Sequence, residues 1–409
     1  MINIFLFEMK KIVKSSFFII ALLLLSLFIL GYYIFVHMNT VRSDEIVAEI
    51  DSRVHTQEKH LQELYDVADE AENQDDIHFQ EEYLSKEKEM LSAYQEEDWF
   101  TVLDQEIKQD ESQPPNTDYR TSTHPTSFTA KTRLEHNKWL RDNGIQPVLP
   151  LDMNSWITIY DVDFGGHTSA EQFIKDRSAK YSSSGVYYLQ HVFQLLFGLI
   201  GPIFFLLLFG DLITKEGFDK NGPIHLLKTQ PIRYYQILGG KLFAIVVTTV
   251  LAFSGISVLA ILIGTIADRF GDFDYPVLIY GSDYAYSFME MGIFLLNSAI
   301  LSFMVFLFCY SLLFLFSVIA KKTLLAVGLA IATILIGIQW SEAITLSTFA
   351  PYIPFYYFSV TEVITNELAV TLQNFDFSYR NGLIVLGIYS GLLYALTYVI
   401  SIFQIKSRY

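Results

Sequence analysis

The chain has 409 residues, of which 52% are hydrophobic and 15% aromatic, while Asp, Glu, Lys and Arg together make up 18%. A soluble chain of this length carries about 25% charged residues, so an ordinary water-soluble enzyme is excluded once the apolar residues prove to lie in long runs. One cysteine excludes a disulfide framework, and a formal charge of −16 makes nucleic acid an unexpected partner.

Taken in chain order, residues 1–16 carry Glu8, Lys10, Lys11 and Lys14 ahead of the first apolar run, 17–36. That run is longer than a signal-peptide core of about 7–15 residues, and no A-x-A site follows in "VHMNTVRSD". It reads as an uncleaved first span. Further runs without Asp, Glu, Lys or Arg occupy 189–209, 242–267, 293–319, 324–338 and 383–403. A bilayer core of about 30 Å needs about 20 helical residues, so the run at 324–338 must continue through Gln339 and Trp340 towards Ile344. The expectation is an α-helical polytopic membrane protein with six transmembrane helices.

The basic residues set the orientation. With the N-terminus cytoplasmic, the inside segments hold twelve Lys and Arg, from Lys10 to Arg408, against four acidic residues. The short outside segments hold only Arg269 and Arg380 against eight acidic residues. Both termini are therefore expected in the cytoplasm.

Between the first two runs lies a long polar segment, 38–187, with 31 acidic and 14 basic side chains; its net charge of −17 accounts for the charge of the whole chain. It is expected outside, as a mostly helical domain. Ile46, Ile50, Val54, Leu61, Leu64, Ala68 and Ala71 form one apolar stripe, and Phe79, Tyr83, Met90, Tyr94, Leu103 and Ile107 a second, with "NQDD" at 73–76 as the turn. This predicts a long antiparallel helical hairpin. Beyond a Pro-, Ser- and Thr-rich link at 112–127 come a helix at 130–143, a loop at 146–150, a β-like stretch at 155–160 and a short helix opened by the S-x-x-Q box at Ser169.

No catalytic set is visible. The nine histidines lie singly, without H-E-x-x-H spacing, and there is no G-x-S-x-G elbow. Neither a metal site nor a catalytic residue is expected, and Cys309 within the fourth run reads as a packing residue. Gly239-Gly240-Lys241 is the nearest approach to a phosphate-binding loop. Tyr235 stands where its first Gly belongs, and Leu242 replaces the Ser or Thr. The spans also lack the interior carboxylates of an ion-coupled transporter. Active transport would thus need energy from another polypeptide.

The largest inside segment reads "TKEGFDKNGPIHLLKTQPIRYYQILGGK", 214–241. Its Glu216-Gly217, Leu226-Leu227, Pro231, Arg233 and Lys241 resemble the loop between the second and third spans of ABC-2 type transporter permeases. "FEMKKIVKSSFF" at 7–18, with Glu8, Lys10 and Lys11, is similar to that family's amphipathic N-terminal helix. "APYIPFYYFS" at 350–359 resembles its short, partly re-entrant helices before the last span. Phe218-Asp219 departs from the small or hydroxyl residue expected after Glu-Gly.

The resemblance implies a type V exporter subunit. It would comprise an amphipathic helix at 1–16, a first span at 17–37, the acidic domain at 38–187 and a body at 188–409, with a coupling loop at 210–241 and an outer segment at 346–382. It further implies separate cytoplasmic ATPase subunits that bind ATP and Mg, with no cofactor in this chain, and a second permease copy or a homologous permease beside it in a bacterial plasma membrane. Leu226 and Leu227 would seat on the ATPase. The cargo expected is hydrophobic or amphipathic: an antimicrobial peptide, a drug or a lipid-linked compound. A sensor or assembly factor whose outer domain binds a ligand and signals to a cytoplasmic partner stays open at this point.

Overall fold

The computed structural model describes residues 2–67, 74–112, 127–152, 155–161, 180–214, 234–320, 322–345 and 347–406. A short helix, α1 (Ile2–Val13), leads into α2 (Ser16–Asn39), the first of six helices long and apolar enough to cross a membrane. At 1.5 Å per residue the 24 residues of α2 reach about 36 Å, enough for the hydrocarbon core. Phe18, Leu25, Ile29, Tyr33 and Val36 form its buried stripe, whereas Leu23, Leu24, Leu27 and Phe28 are exposed. An apolar face left uncovered by protein is what a lipid-facing helix requires.

Four helices follow in the segment between the first two spans: α3 (Ser43–Val67), α4 (Gln74–Gln95), α5 (Trp99–Ser112) and α6 (Ser127–Asn143). The hairpin of α3 and α4 buries Ile50, Val54 and Leu84. It ends earlier than the second stripe predicts. At Glu97 the backbone turns left-handed (φ 54°), and the N–H of Asp98 donates to the Ala93 carbonyl at 2.8 Å, closing α4. Asp98 then accepts from the Thr101 N–H and hydroxyl, at 3.3 and 2.6 Å, and opens α5. The second stripe is offset within α4, where Phe79 is 66% exposed and Leu84 is buried, whereas its members at the break and beyond it, Tyr94, Leu103 and Ile107, are buried as the stripe requires.

Helices α5 and α6 are joined by Arg133, buried between Glu106 at 3.2 Å, Asp110 and the carbonyl of Leu151. Burial raises both carboxyls above the usual range, although Arg133 pulls them down. Beside it His136 is enclosed by Trp156 and Tyr275, ring centroids 4.1 and 5.3 Å away, and burial drives its imidazole down to about 3.

The second span is broken. Helix α7 (Gly185–Leu195) passes through a π-type turn, Leu196–Ile200, into α8 (Gly201–Thr214). Pro202 explains the place of the break. It donates no N–H, and in a continuous helix its ring would strike the carbonyl four residues earlier, that of Gly198. A ψ of −137° at Gly198 turns that carbonyl aside.

The third span, α9 (Tyr234–Ala267), crosses α7 at two glycines: a Cβ on Gly264 would lie 2.6 Å from the Gly185 Cα. Strands β1 (Pro276–Tyr280) and β2 (Tyr286–Glu290) then form an antiparallel hairpin, with Pro276 opposite Glu290 and Tyr280 opposite Tyr286. The fourth span, α10 (Met291–Ala320), is the centre of the bundle. Of its most apolar window 67% is buried, against 22% for the first, fifth and sixth spans. The fifth, α11 (Thr323–Ala343), runs through Gln339 and Trp340 as its length demanded. Two short 3₁₀ turns, Ala350–Tyr352 and Pro354–Phe358, and two one-turn helices, α12 (Val360–Ile364) and α13 (Glu367–Thr371), precede the last span, α14 (Tyr379–Lys406).

The β-structure differs from the sequence expectation. Residues 155–160 form no strand, because local polar groups take their bonds: Ser155 Oγ donates to the Pro150 and Asp152 carbonyls, and the Ile159 N–H donates to the Tyr280 hydroxyl. The hairpin of β1 and β2 serves the domain instead. Phe128 stacks on Tyr280 (6.0 Å, 16°), and the Trp139 indole donates to the Asp274 carbonyl at 3.1 Å. The hairpin is tied in turn to the short helices, since the Tyr280 N–H donates to Thr365 O at 2.9 Å and Asn366 Nδ2 donates to Tyr280 O at 2.8 Å. All three alternate inter-span segments meet at one end of the bundle. The helix expected after Ser169 lies outside the described residues.

Candidate functional site

The N-terminal helix α1 packs at the opposite end, on the first turns of α9. Ile4, Glu8 and Ile12 recur every four residues and form its buried stripe; Leu6, Phe7 and Val13 are exposed. Gly240 admits Ile4: a Cβ there would stand 2.8 Å from Ile4 Cγ2. The Phe5 and Phe243 rings pack 4.9 Å apart, and Thr248 Oγ1 donates to Met9 Sδ at 3.1 Å.

Glu8 and Lys241 form an ion pair within this apolar contact, 3.5 Å between Nζ and Oε1, with side chains only 1% and 6% exposed. Glu8 Oε2 accepts no hydrogen bond among the described residues. Burial lowers the Lys11 ammonium below its ordinary range; Glu8 pulls against that, while Lys241 adds to it. Lys10 is exposed. The structure therefore brings Glu8 and Lys241 together, two residues that the sequence marks at positions 233 apart. Glu216, Gly217, Leu226, Leu227, Pro231 and Arg233 lie outside the described residues.

A cavity of about 650 Å³ opens nearer the other end. Phe197 and Leu199 line it from the break in the second span, Ile338 from α11, and Phe355, Phe358 and Leu368 from the short helices. Two carboxylates, Glu362 and Glu367, stand at it. Glu362 is exposed and Glu367 is half-buried. The surrounding protein raises both carboxyls above the usual range, and the charge of Glu362 adds to the effect on Glu367. Among the described residues no three His, Cys, Asp or Glu side chains converge as a metal set.

The family model for "ABC-2 family transporter protein" matches residues 2–405, from α1 to the last turn of α14. The chain belongs to the ABC-2 family of transporter proteins. It is a multi-pass cell-membrane permease of an ABC transporter, and the ABC-2 match spans the inter-span domain as well as the bundle. No curated protein and no solved structure matches the chain. In this ABC-2 permease the broken second span and the clasp between Glu8 and Lys241 are features that sequence reading did not reach. The first had a signal, Pro202 four residues after Gly198 in an apolar run. The second had only its two partners, each marked separately.

Proposed function

We propose that this permease is the transmembrane half of an exporter driven by ATP that separate cytoplasmic ABC ATPase subunits hydrolyse. ATP and Mg belong to those subunits, and a second copy or a homologous permease completes the pathway across the bacterial plasma membrane. The N- and C-termini, α1 and the loop at 210–241 face the ATPases, while the acidic domain at 38–187 and the segment at 346–382 face outward. The cargo is hydrophobic or amphipathic: an antimicrobial peptide, a drug or a lipid-linked compound.

The clasp carries this reading. Glu8 on α1 holds Lys241, eight residues into the helix that emerges from the loop, inside a tightly packed contact with Gly240 and Phe243. A push on the loop from an ATPase would therefore move α1 and the third span as one piece, which is what conversion of ATPase closure into a shift of spans requires. Co-purification with the ATPase subunit tests it. Leu226→Asp/Leu227→Asp is expected to lose the ATPase from the purified complex. A doubly substituted permease that keeps the ATPase with unchanged ATP turnover rejects the coupling role of the loop.

A further inference from the structure

We propose that the cavity between the broken second span and the short helices binds an amphipathic cation, its apolar body against Phe197, Ile338, Phe355 and Phe358 and its charge at Glu362 and Glu367. The inference rests on the reading of the chain as an exporter and adds the class of cargo. Four observations carry it.

The first is size. About 650 Å³ is the volume of a small-molecule site, which typically lies between about 300 and 1,000 Å³. The second is the wall, which is mostly aliphatic and aromatic. Phe355 and Phe358 are among the lining residues, and aromatic rings suit a cation as well as an apolar body. The third is the charge balance. Among the described residues no Lys, Arg or His lines the cavity and neither carboxylate pairs with a basic side chain. Two neighbouring acids in a partly dry site lack a counter-charge, so a cation is favoured, a neutral ligand leaves them unpaired, and an anion is repelled.

The fourth is that the acids are held in place. Asn366, between them, is left-handed (φ 62°) and donates from Nδ2 to the Tyr280 carbonyl at 2.8 Å. The Thr365 carbonyl accepts from the Tyr280 N–H at 2.9 Å. The hairpin of β1 and β2 thus fixes the turn that carries both carboxylates, and the π-type turn at Leu196–Ile200 opens the facing wall. A preorganised pair of charges at a helix break suits recognition better than a chance surface patch.

Tetraphenylphosphonium and tetraphenylborate test the proposal, because they share shape and apolarity and differ in the sign of charge. Isothermal titration of the purified full chain in detergent, with matched micelle blanks, is expected to show saturable binding of the phosphonium and none of the borate. Glu362→Gln/Glu367→Gln should weaken the phosphonium about tenfold or more, the scale of one lost contact to a charged group. Glu290→Gln makes the same kind of charge change outside the cavity and should leave binding unaltered. Both variants are near-isosteric, and their thermal transitions are compared with that of the natural protein. Failure of the phosphonium to bind, equal binding of the borate, or undiminished binding by the folded double variant overturns the proposal. The titration contains no ATPase. A Leu226→Asp/Leu227→Asp permease that keeps its ATPase with unchanged ATP turnover, while the phosphonium still binds, would therefore reject the coupling reading and leave the site standing.

Discussion

Breaking the clasp between Glu8 and Lys241 should release the N-terminal helix. At 3.5 Å and an effective dielectric of about 20, the gross attraction of the pair is about 5 kcal/mol. Much of that is offset by removing two ions from water. Deleting one partner is a different matter, since the other loses the opposite charge beside it in a contact that exposes only 1% of Glu8 and 6% of Lys241. Such a deletion costs about 3 kcal/mol or more. If the cost falls on the docking of α1, its undocked fraction rises by roughly 150-fold. Ile12, 3% exposed on the buried stripe, offers the readout as Ile12→Cys, and Cys309, fully buried in α10, serves as the unreactive blank. Maleimide should label Ile12→Cys roughly 100-fold faster in Lys241→Met or Glu8→Gln than in the natural background. Glu8→Gln/Lys241→Met removes both charges and should return the rate to within about fivefold. Single variants that label at the natural rate, or a double variant whose effect is the sum of the singles, would refute the clasp as an energetic unit.

Other outcomes follow from the same geometry. His136 is held neutral with a folded pKa of about 3, below the unfolded value of about 6.5. Unfolding therefore takes up a proton, and the stability of the inter-span domain should fall as pH drops from about 6.5 towards 3, by up to about 1.4 kcal/mol per unit. Glu106 and Asp110, with raised folded values, oppose this trend in the carboxylate range. The comparison is hence between the natural protein and His136→Phe, which should flatten the slope of the tryptophan-fluorescence transition; an unchanged slope rejects the neutral buried imidazole. Gly264→Val would drive side-chain atoms into the Gly185 backbone, where even a Cβ lies 2.6 Å from its Cα, and is expected to abolish the monodisperse peak on size exclusion. If that peak survives with an unchanged melting temperature, the close crossing of the second and third spans is wrong. For sidedness, Gln62→Cys on α3 should react with an impermeant reagent added to intact cells, and Lys10→Cys only after lysis. The reverse pattern inverts the topology.

The spans were legible because lipid selects composition: a run such as 293–319 has few other uses, and the shorter run at 324–338 declared its own extension into Trp340. What composition does not record is the backbone path within a run. Hydropathy treats 189–209 as one stretch, while the steric demand of Pro202 on Gly198 breaks it. In the inter-span domain the first stripe is in register, with Ile50 and Val54 buried. The second is offset within α4, where Phe79 and Tyr83 come out exposed and Leu84 is buried, yet on either side of the stop at Glu97 its members Tyr94, Leu103 and Ile107 are buried. Pairings between distant segments left no periodic trace. Glu8 and Lys241 each carry a separate signal in the sequence, but nothing in either neighbourhood names the other.

The hairpin at 276–290 has a consequence for how the protein is made. Trp139 donates its indole proton to a carbonyl 135 residues further along the chain, and Phe128 stacks on Tyr280. During synthesis the acidic domain therefore leaves the ribosome well before the strands that finish its aromatic wall. It must wait, incomplete, until the third span has been inserted. A chain truncated after the second span would leave Phe128 without Tyr280 and Trp139 without its carbonyl acceptor. Completion of the domain thus reports that half the bundle is already in the membrane.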